Sequence, residues 1–238
     1  MDGDVVKVSR LLRGTPSLAK MTLPGIAARP RLPPLFFDEI CHYMYGGDTA
    51  LHIAAAAFSR PMAELFVSHG ADCRAKNRRG GEPLHYASDA NLSKPQAQAE
   101  VVEYLTSIGA DPNAVDNSGV APLHRAVRTR SLTAVRALLD GGAEPRQPNK
   151  SGSTPLHLAV QTTGRGGSGS DEARRQQVRI IALLMERGAR PADRDAKGKS
   201  VEQAASKWIR SLLSEGIMTA IGGSTSDTLI REAEDIEP

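Results

Sequence analysis

One six-residue phrase occurs four times in this 238-residue chain: Thr49-Ala50-Leu51-His52-Ile53-Ala54, Glu82-Pro83-Leu84-His85-Tyr86-Ala87, Ala121-Pro122-Leu123-His124-Arg125-Ala126 and Thr154-Pro155-Leu156-His157-Leu158-Ala159. Counted on the leucine, the copies lie 33, 39 and 33 residues apart, and a degraded fifth copy, Lys199-Ser200-Val201-Glu202-Gln203-Ala204, follows after 45. A fixed period in this range constrains the fold more than length does. It signals a stacked array in which each unit buries its apolar face against its neighbours, rather than one closed core. The excess over 33 places insertions of 6 and 12 residues in the second and fourth units.

Each phrase is followed by a second apolar window ending in a Gly-Ala step, as in Val135-Arg136-Ala137-Leu138-Leu139 before Gly142-Ala143. Apolar residues at i, i+3 and i+4 predict short amphipathic helices, and the glycine supplies the left-handed conformation with which many helices end. Pro83, Pro122 and Pro155 suit a first helical turn, whose N–H groups have no intrahelical partner. One unit is therefore a helix, a turn, a second helix and a projecting loop. Scarce aromatics, 4% of residues, agree with an all-α chain.

The period and the Thr-Pro-Leu-His-x-Ala phrase resemble the ankyrin repeat. The resemblance implies an all-α solenoid of helix-turn-helix units with projecting β-turn loops, comprising four clear repeats near 47–79, 80–118, 119–151 and 152–196 and a degraded capping repeat at 197–216. Around this 47–216 domain, residues 1–46 are expected to form an N-terminal helical cap and 217–238 an acidic tail. In the cap, residues 4–13 and Leu35–Tyr45 suggest two helices joined by a proline-containing connector, with Phe36, Phe37 and Tyr43 shielding the end of the stack. In the family the phrase threonine caps the inner helix and pairs with the histidine. Thr49 and Thr154 keep it, whereas Glu82 and Ala121 depart, and Ala121 has no acceptor with which to cap.

Chemistry-bearing patterns are few. Histidines 33 or 39 residues apart form a ladder with one repeat between rungs and cannot converge on one ion, so hydrogen bonding is their expected role. Two cysteines, Cys41 and Cys73, make neither a disulfide framework nor a four-thiolate site. Gly164-Arg165-Gly166-Gly167-Ser168-Gly169 matches a phosphate-loop pattern, but a helix precedes it and Asp171-Glu172 follow, which would repel phosphate. No catalytic constellation, cofactor site or metal site is expected. No apolar run is long enough to span a membrane, and a cytoplasmic monomer is the expected form.

Charge is more informative. The net +3 divides into a repeat array of 23 Lys/Arg against 18 Asp/Glu and a tail, 217–238, of five acidic residues and one arginine. The resemblance places loop tips and inner helices on a concave binding face, here expected to be basic. Arg78, Arg79, Asn117, Ser118, Val120, Arg128, Lys150, Ser153, Gln161 and Lys197 occupy positions resembling the family's usual contact positions. The expected function is that of a non-enzymatic adaptor or scaffold binding a protein partner with an acidic patch. Alternatives are a nucleic-acid-associated regulator using the same face, against which sparse aromatics and modest charge argue, and a regulatory or substrate-recognition subunit of an enzyme. The insertions at 88–100 and 161–175 mark either a binding edge or ordinary surface loops. The acidic tail could fold onto the basic face as an autoinhibitory mimic.

Overall fold

In a computed structural model, residues 2–24, 35–40, 42–89, 94–161, 171–205 and 209 are described. The chain opens with α1 (Asp2–Gly14) and a 3₁₀ turn, Pro16–Lys20, followed by a two-stranded ribbon of β1 (Leu35–Phe37) and β2 (His42–Met44). The repeats supply α2 (Ala50–Ala56) with α3 (Arg60–Ser68), α4 (Pro83–Ala87) with α5 (Pro95–Ser107), α6 (Pro122–Arg128) with α7 (Leu132–Asp140) and α8 (Pro155–Ala159) with α9 (Asp171–Glu186). A last inner helix, α10 (Val201–Ala204), follows. Inner helices pack in series, α2 on α4, α4 on α6, α6 on α8 and α8 on α10, and outer helices do the same. Leu51, Leu84, Leu123 and Leu156 sit between these layers, at most 1% exposed, together with Leu105, Leu138 and Leu184 from the outer helices. The stack is an ankyrin solenoid, as the period predicts.

The phrase histidines join the units. Each Nδ1 accepts the backbone N–H three residues earlier, from Thr49, Glu82, Ala121 or Thr154, at 3.1–3.2 Å. Each Nε2 then meets a carbonyl of the next unit: Gly81, Val120, Ser153 or Lys199, at 3.1–3.3 Å. With Nδ1 accepting, the ring is neutral and carries its proton on Nε2, which donates across the repeat boundary. Thr49 and Thr154 complete the cap by accepting the histidine N–H through the side chain, and Ala121 has no such group. Ala121→Thr is accordingly expected to raise stability by about 1 kcal/mol, a gain of a few degrees in Tm. An unchanged or lower melting temperature would show that the missing cap costs nothing.

The insertions do not simply project. Part of each lengthens an outer helix, so that α5 has 13 residues and α9 has 16, against 9 in α3 and α7. This changes how the inner helix ends. In the short repeats the chain turns through Phe58 and Arg130, both at positive φ, and the N–H of Ser59 or Ser131 satisfies the carbonyl of Ala54 or Ala126. In the long repeats a buried glutamine on the extended helix takes over. Gln98 Nε2 donates to the Ala87 and Asp89 carbonyls at 2.9 Å, and Gln177 Nε2 donates to the Ala159 and Gln161 carbonyls at 2.6 and 3.1 Å. Gln98→Ala should cost about 2 kcal/mol in urea denaturation, because buried carbonyls lose their donor, whereas Gln161→Ala, at an exposed side chain, should stay within about 0.5 kcal/mol. Equal effects at the two positions would remove the capping role.

Loop tips also interlock. Gly152 has φ +74°, and a Cβ there would run into the backbone nitrogen of Ala196, whose N–H donates to Ser151 O at 3.0 Å. Only glycine lets two tips approach this closely.

The N-terminal segment corrects one expectation. Leu35–Tyr45 is not a helix: Leu35 pairs with Met44, Phe36 with Tyr43 and Phe37 with His42 in an antiparallel ribbon. Aromatic side chains lose rotamer freedom in a helix and gain contact across a strand pair, and the Phe36 and Tyr43 rings lie 4.8 Å apart. Nor do these aromatics shield the stack. Phe36, Phe37 and Tyr43 are 44%, 38% and 48% exposed, while Leu12, Ala19 and Met44 are at most 2% exposed. The first repeat is covered instead by α1 packing on α3 and by the 3₁₀ turn packing on α2. The connector from Gly25 to Pro34, the glycine-rich pattern at 164–169, the outer capping helix apart from the buried Ile209, and the acidic tail lie outside the described residues.

Candidate functional site

Tyr45 and Asp48 leave the ribbon and enter the first repeat, where Asp48 is fully buried beneath the concave face. Its carboxylate accepts the Tyr45 N–H at 2.6 Å, the Asn77 amide at 2.8 Å and the Tyr86 hydroxyl at 2.8 Å, which ties the ribbon, the first loop tip and α4 to one group. Burial and the adjacent Asp48 charge push the Tyr86 hydroxyl far above its ordinary range, so it remains a donor. His42 stacks on the Tyr86 ring at 4.3 Å and brings Nε2 to 3.3 Å from Asp89 at the end of α4.

Arg125 on α6 continues the chain of contacts. Its guanidinium donates to Asp89 at 2.6 Å and to Asp116 at 2.9 Å. Burial would raise both carboxyls, but the His42 and Arg125 contacts hold Asp89 below the usual carboxylate range. The Val120 and Ser118 N–H groups and Arg125 do the same for Asp116. Burial opposes the Arg125 charge, and the two carboxylates outweigh it, raising its pKa. Arg128, one turn further along α6, is 62% exposed and lies 3.6 Å from Asp89, too far for a hydrogen bond. At the first loop tip, Arg79 lies 4.8 Å over the Tyr45 ring and donates to its hydroxyl at 3.0 Å, with Arg78 5.7 Å from the same ring.

Most of these groups line a cleft of about 540 Å³ between the ribbon, the tips of the first and second repeats, and α6. Of the residues singled out from sequence, Arg79, Ser118, Val120 and Arg128 line it, and Arg78 flanks Tyr45. Asn117 is committed to holding two tips together, donating to the Arg78 and Arg79 carbonyls at 3.0 and 2.8 Å. Lys150 reaches the Asn117 carbonyl, and the Ser153 and Gln161 carbonyls accept from His124 and Gln177. Lys197 stands exposed at the last tip. These last four do not line the cleft.

Sequence reasoning missed Phe36, His42, Tyr43 and Tyr45, because it assigned their segment to an end cap, and Asp89 and Asp116 as partners of Arg125. A usable signal existed for one missed feature: Gln98 and Gln177 each stand seven positions before the outer-helix leucine, Leu105 or Leu184, in the two repeats that carry insertions. Part of the positive charge counted along the array is paired. Arg125, Arg146 and Arg187 are neutralised by Asp89 and Asp116, Asp193, and Asp140 respectively, at 2.6–2.9 Å. Among the described residues, Arg78 and Arg79 have no carboxylate partner. No described helix is long and apolar enough to cross a membrane.

Comparisons with known proteins agree with the repeat architecture. Human B-cell lymphoma 3 protein is 37% identical over 98 residues, covering 40% of this chain and 20% of that protein. Mouse NF-kappa-B inhibitor delta is 34% identical over 125 residues, 50% of this chain and 36% of that protein. The E3 ubiquitin-protein ligase KEG of Arabidopsis thaliana is 34% identical over 94 residues, 40% of this chain and 6% of that protein. The chain therefore spans between 6% and 36% of the length of these relatives. The family profile for ankyrin repeats in three copies matches residues 32–116 and 92–195, well over half the chain. With the period, the histidine staples and the stacked helix pairs, this match makes the chain a member of the ankyrin-repeat family, whose repeats mediate protein–protein interaction.

Proposed function

We propose that this chain is a non-enzymatic adaptor or scaffold that holds one protein partner on the concave face of loop tips and inner helices, the partner presenting an acidic patch. The observation that carries this reading is the uncompensated positive charge at the cleft. Arg125 is held by Asp89 and Asp116, while at the same cleft Arg79 and the adjacent Arg78 have no carboxylate partner among the described residues and Arg128 keeps an exposed guanidinium 3.6 Å from Asp89. Uncompensated charge on a concave face raises the encounter rate with an oppositely charged partner and penalises wrong ones. The adaptor is taken to act as a cytoplasmic monomer.

A second reading, a substrate-recognition arm of an enzyme, is favoured by relatives named as an E3 ubiquitin-protein ligase and as ankyrin repeat and SOCS box protein 6. Affinity capture from the native lysate tests the shared core of both readings. Wild type should recover a protein that the Arg78→Glu, Arg79→Glu, Arg128→Glu variant loses, with recovery falling as salt rises. If the variant recovers the same proteins, the basic concave face is not where the partner binds.

A further inference from the structure

The cleft has an imbalance that says what belongs in it. Its two carboxylates are already engaged. Asp89 Oδ2 lies 3.3 Å from His42 Nε2 and accepts from Arg125, and Asp116 accepts from Arg125 together with the Ser118 and Val120 N–H groups at 2.8 and 3.0 Å. Its donors are not. Arg128 makes no hydrogen bond to Asp89 at 3.6 Å, and Arg79 spends one donor on the Tyr45 hydroxyl. An arginine carries five N–H donors, so the lining offers hydrogen bonds to an incoming acceptor. Three guanidiniums against two carboxylates give the lining the same sign.

The wall contributed by the ribbon has the opposite character. The Phe36 and Tyr43 rings lie tilted against each other with nearly half of each residue in solvent, on a strand pair that lines the cleft. Exposed aromatic rings beside arginines are the composition of a binding hot spot. A cleft of about 540 Å³ admits one or two side chains and is too small for a folded domain.

From this juxtaposition we infer that the cleft anchors an extended peptide segment of the partner, taking an Asp or Glu carboxylate against Arg128 and Arg79 and a neighbouring aromatic or large aliphatic side chain against Phe36 and Tyr43. The inference rests on the protein-binding reading above and narrows it. The N-terminal ribbon becomes one jaw of the site, and specificity arises between the segment before the repeats and the third repeat.

The test is selection of a phage-displayed library of random peptides, about twelve residues long, on the full chain, followed by titration of a fluorescein-labelled winner. Winners should carry an Asp or Glu within a few positions of Phe, Trp, Tyr or Leu. Arg128→Ala and Tyr43→Ala, both at exposed side chains and each confirmed folded by its circular dichroism and melting curve, should each weaken the titrated peptide by about tenfold or more, and Lys197→Ala by less than about twofold. Winners without the acidic–apolar pairing, failure to enrich any sequence, or displacement of the winner by a single-stranded oligothymidylate would each overturn the inference. Binding lost on Lys150→Glu or Lys197→Glu but indifferent to Arg128 and Tyr43 would overturn it while leaving the concave face as the binding surface. Binding indifferent to all four would remove both.

Discussion

Asp48→Ala is expected to lower the free energy of unfolding by about 3–5 kcal/mol, the largest loss we anticipate from a single side chain in this molecule. The substitution removes an acceptor shared by the Tyr45 N–H, the Asn77 amide and the Tyr86 hydroxyl, all within 2.6–2.8 Å, from a site with no access to water. Those donors cannot be resolvated without opening the first repeat. Asp48→Asn keeps one acceptor oxygen and should cost roughly half as much, so the pair separates loss of hydrogen bonding from loss of packing. The same change should reach the cleft, since Tyr45 supports Arg78 and Arg79 and Tyr86 supports His42. Guanidinium denaturation of the three proteins is the measurement. A loss under about 1 kcal/mol for the alanine would mean that these donors find other partners, and that Asp48 does not tie the ribbon to the repeats.

The contrast between Asp48 and the phrase residues explains how much of the molecule can be deduced from the sequence. The repeating elements are local: proline, leucine and histidine recur at fixed offsets, and each histidine bonds three residues back and one repeat ahead, so periodicity alone predicts helices, core and staples. The cleft is not local. Asp48 meets Tyr86 across 38 positions, and Asp89 meets His42 across 47 and Arg125 across 36. A count of charges along the chain registers Arg125 as basic surface, when the fold cancels it against two carboxylates. The N-terminal segment failed for another reason. Leu-Phe-Phe-Asp-Glu-Ile and His-Tyr-Met-Tyr satisfy helical and strand spacing alike, and pairing of Phe36 with Tyr43 decides between them. The candidates that line the cleft, Arg79, Ser118, Val120 and Arg128, are those whose place is fixed by the repeat register itself.

The staples make the stack sensitive to acid. Burial lowers the pKa of His52, His85 and His124, with His85 brought down to about 4, each ring being held neutral while Nδ1 accepts and Nε2 donates. An unfolded histidine titrates near 6.5, so between about pH 6.5 and 4 the unfolded chain binds protons that the native His85 refuses. Stability is therefore intact above about pH 6.5 and falls as pH drops through this window, by on the order of 3 kcal/mol for His85 alone, with His52 and His124 adding in the same direction. Glu82 acts the other way. Burial pushes its carboxyl up, and the Lys76 ammonium at 3.7 Å offsets this only in part, so protonation on acidification favours the native state. Asp89 and Asp116, held below their ordinary values, lose their contribution only as pH falls below about 4, beneath the histidine window. His85→Gln isolates the effect, because the structure sets the fifth copy one residue later than the phrase alignment, with Ser200 in the threonine position and Gln203 in the histidine position, where the Ser200 N–H donates to Gln203 Oε1 at 3.0 Å. The variant should be less stable than wild type at pH 7.5, having lost the bond to the Val120 carbonyl, and should show a shallower decline between pH 6.5 and 4.5. Denaturation midpoints at four pH values decide the matter. A wild-type stability that is flat across this range, or a slope that His85→Gln leaves unchanged, would mean that the buried rings are not what couples the stack to pH.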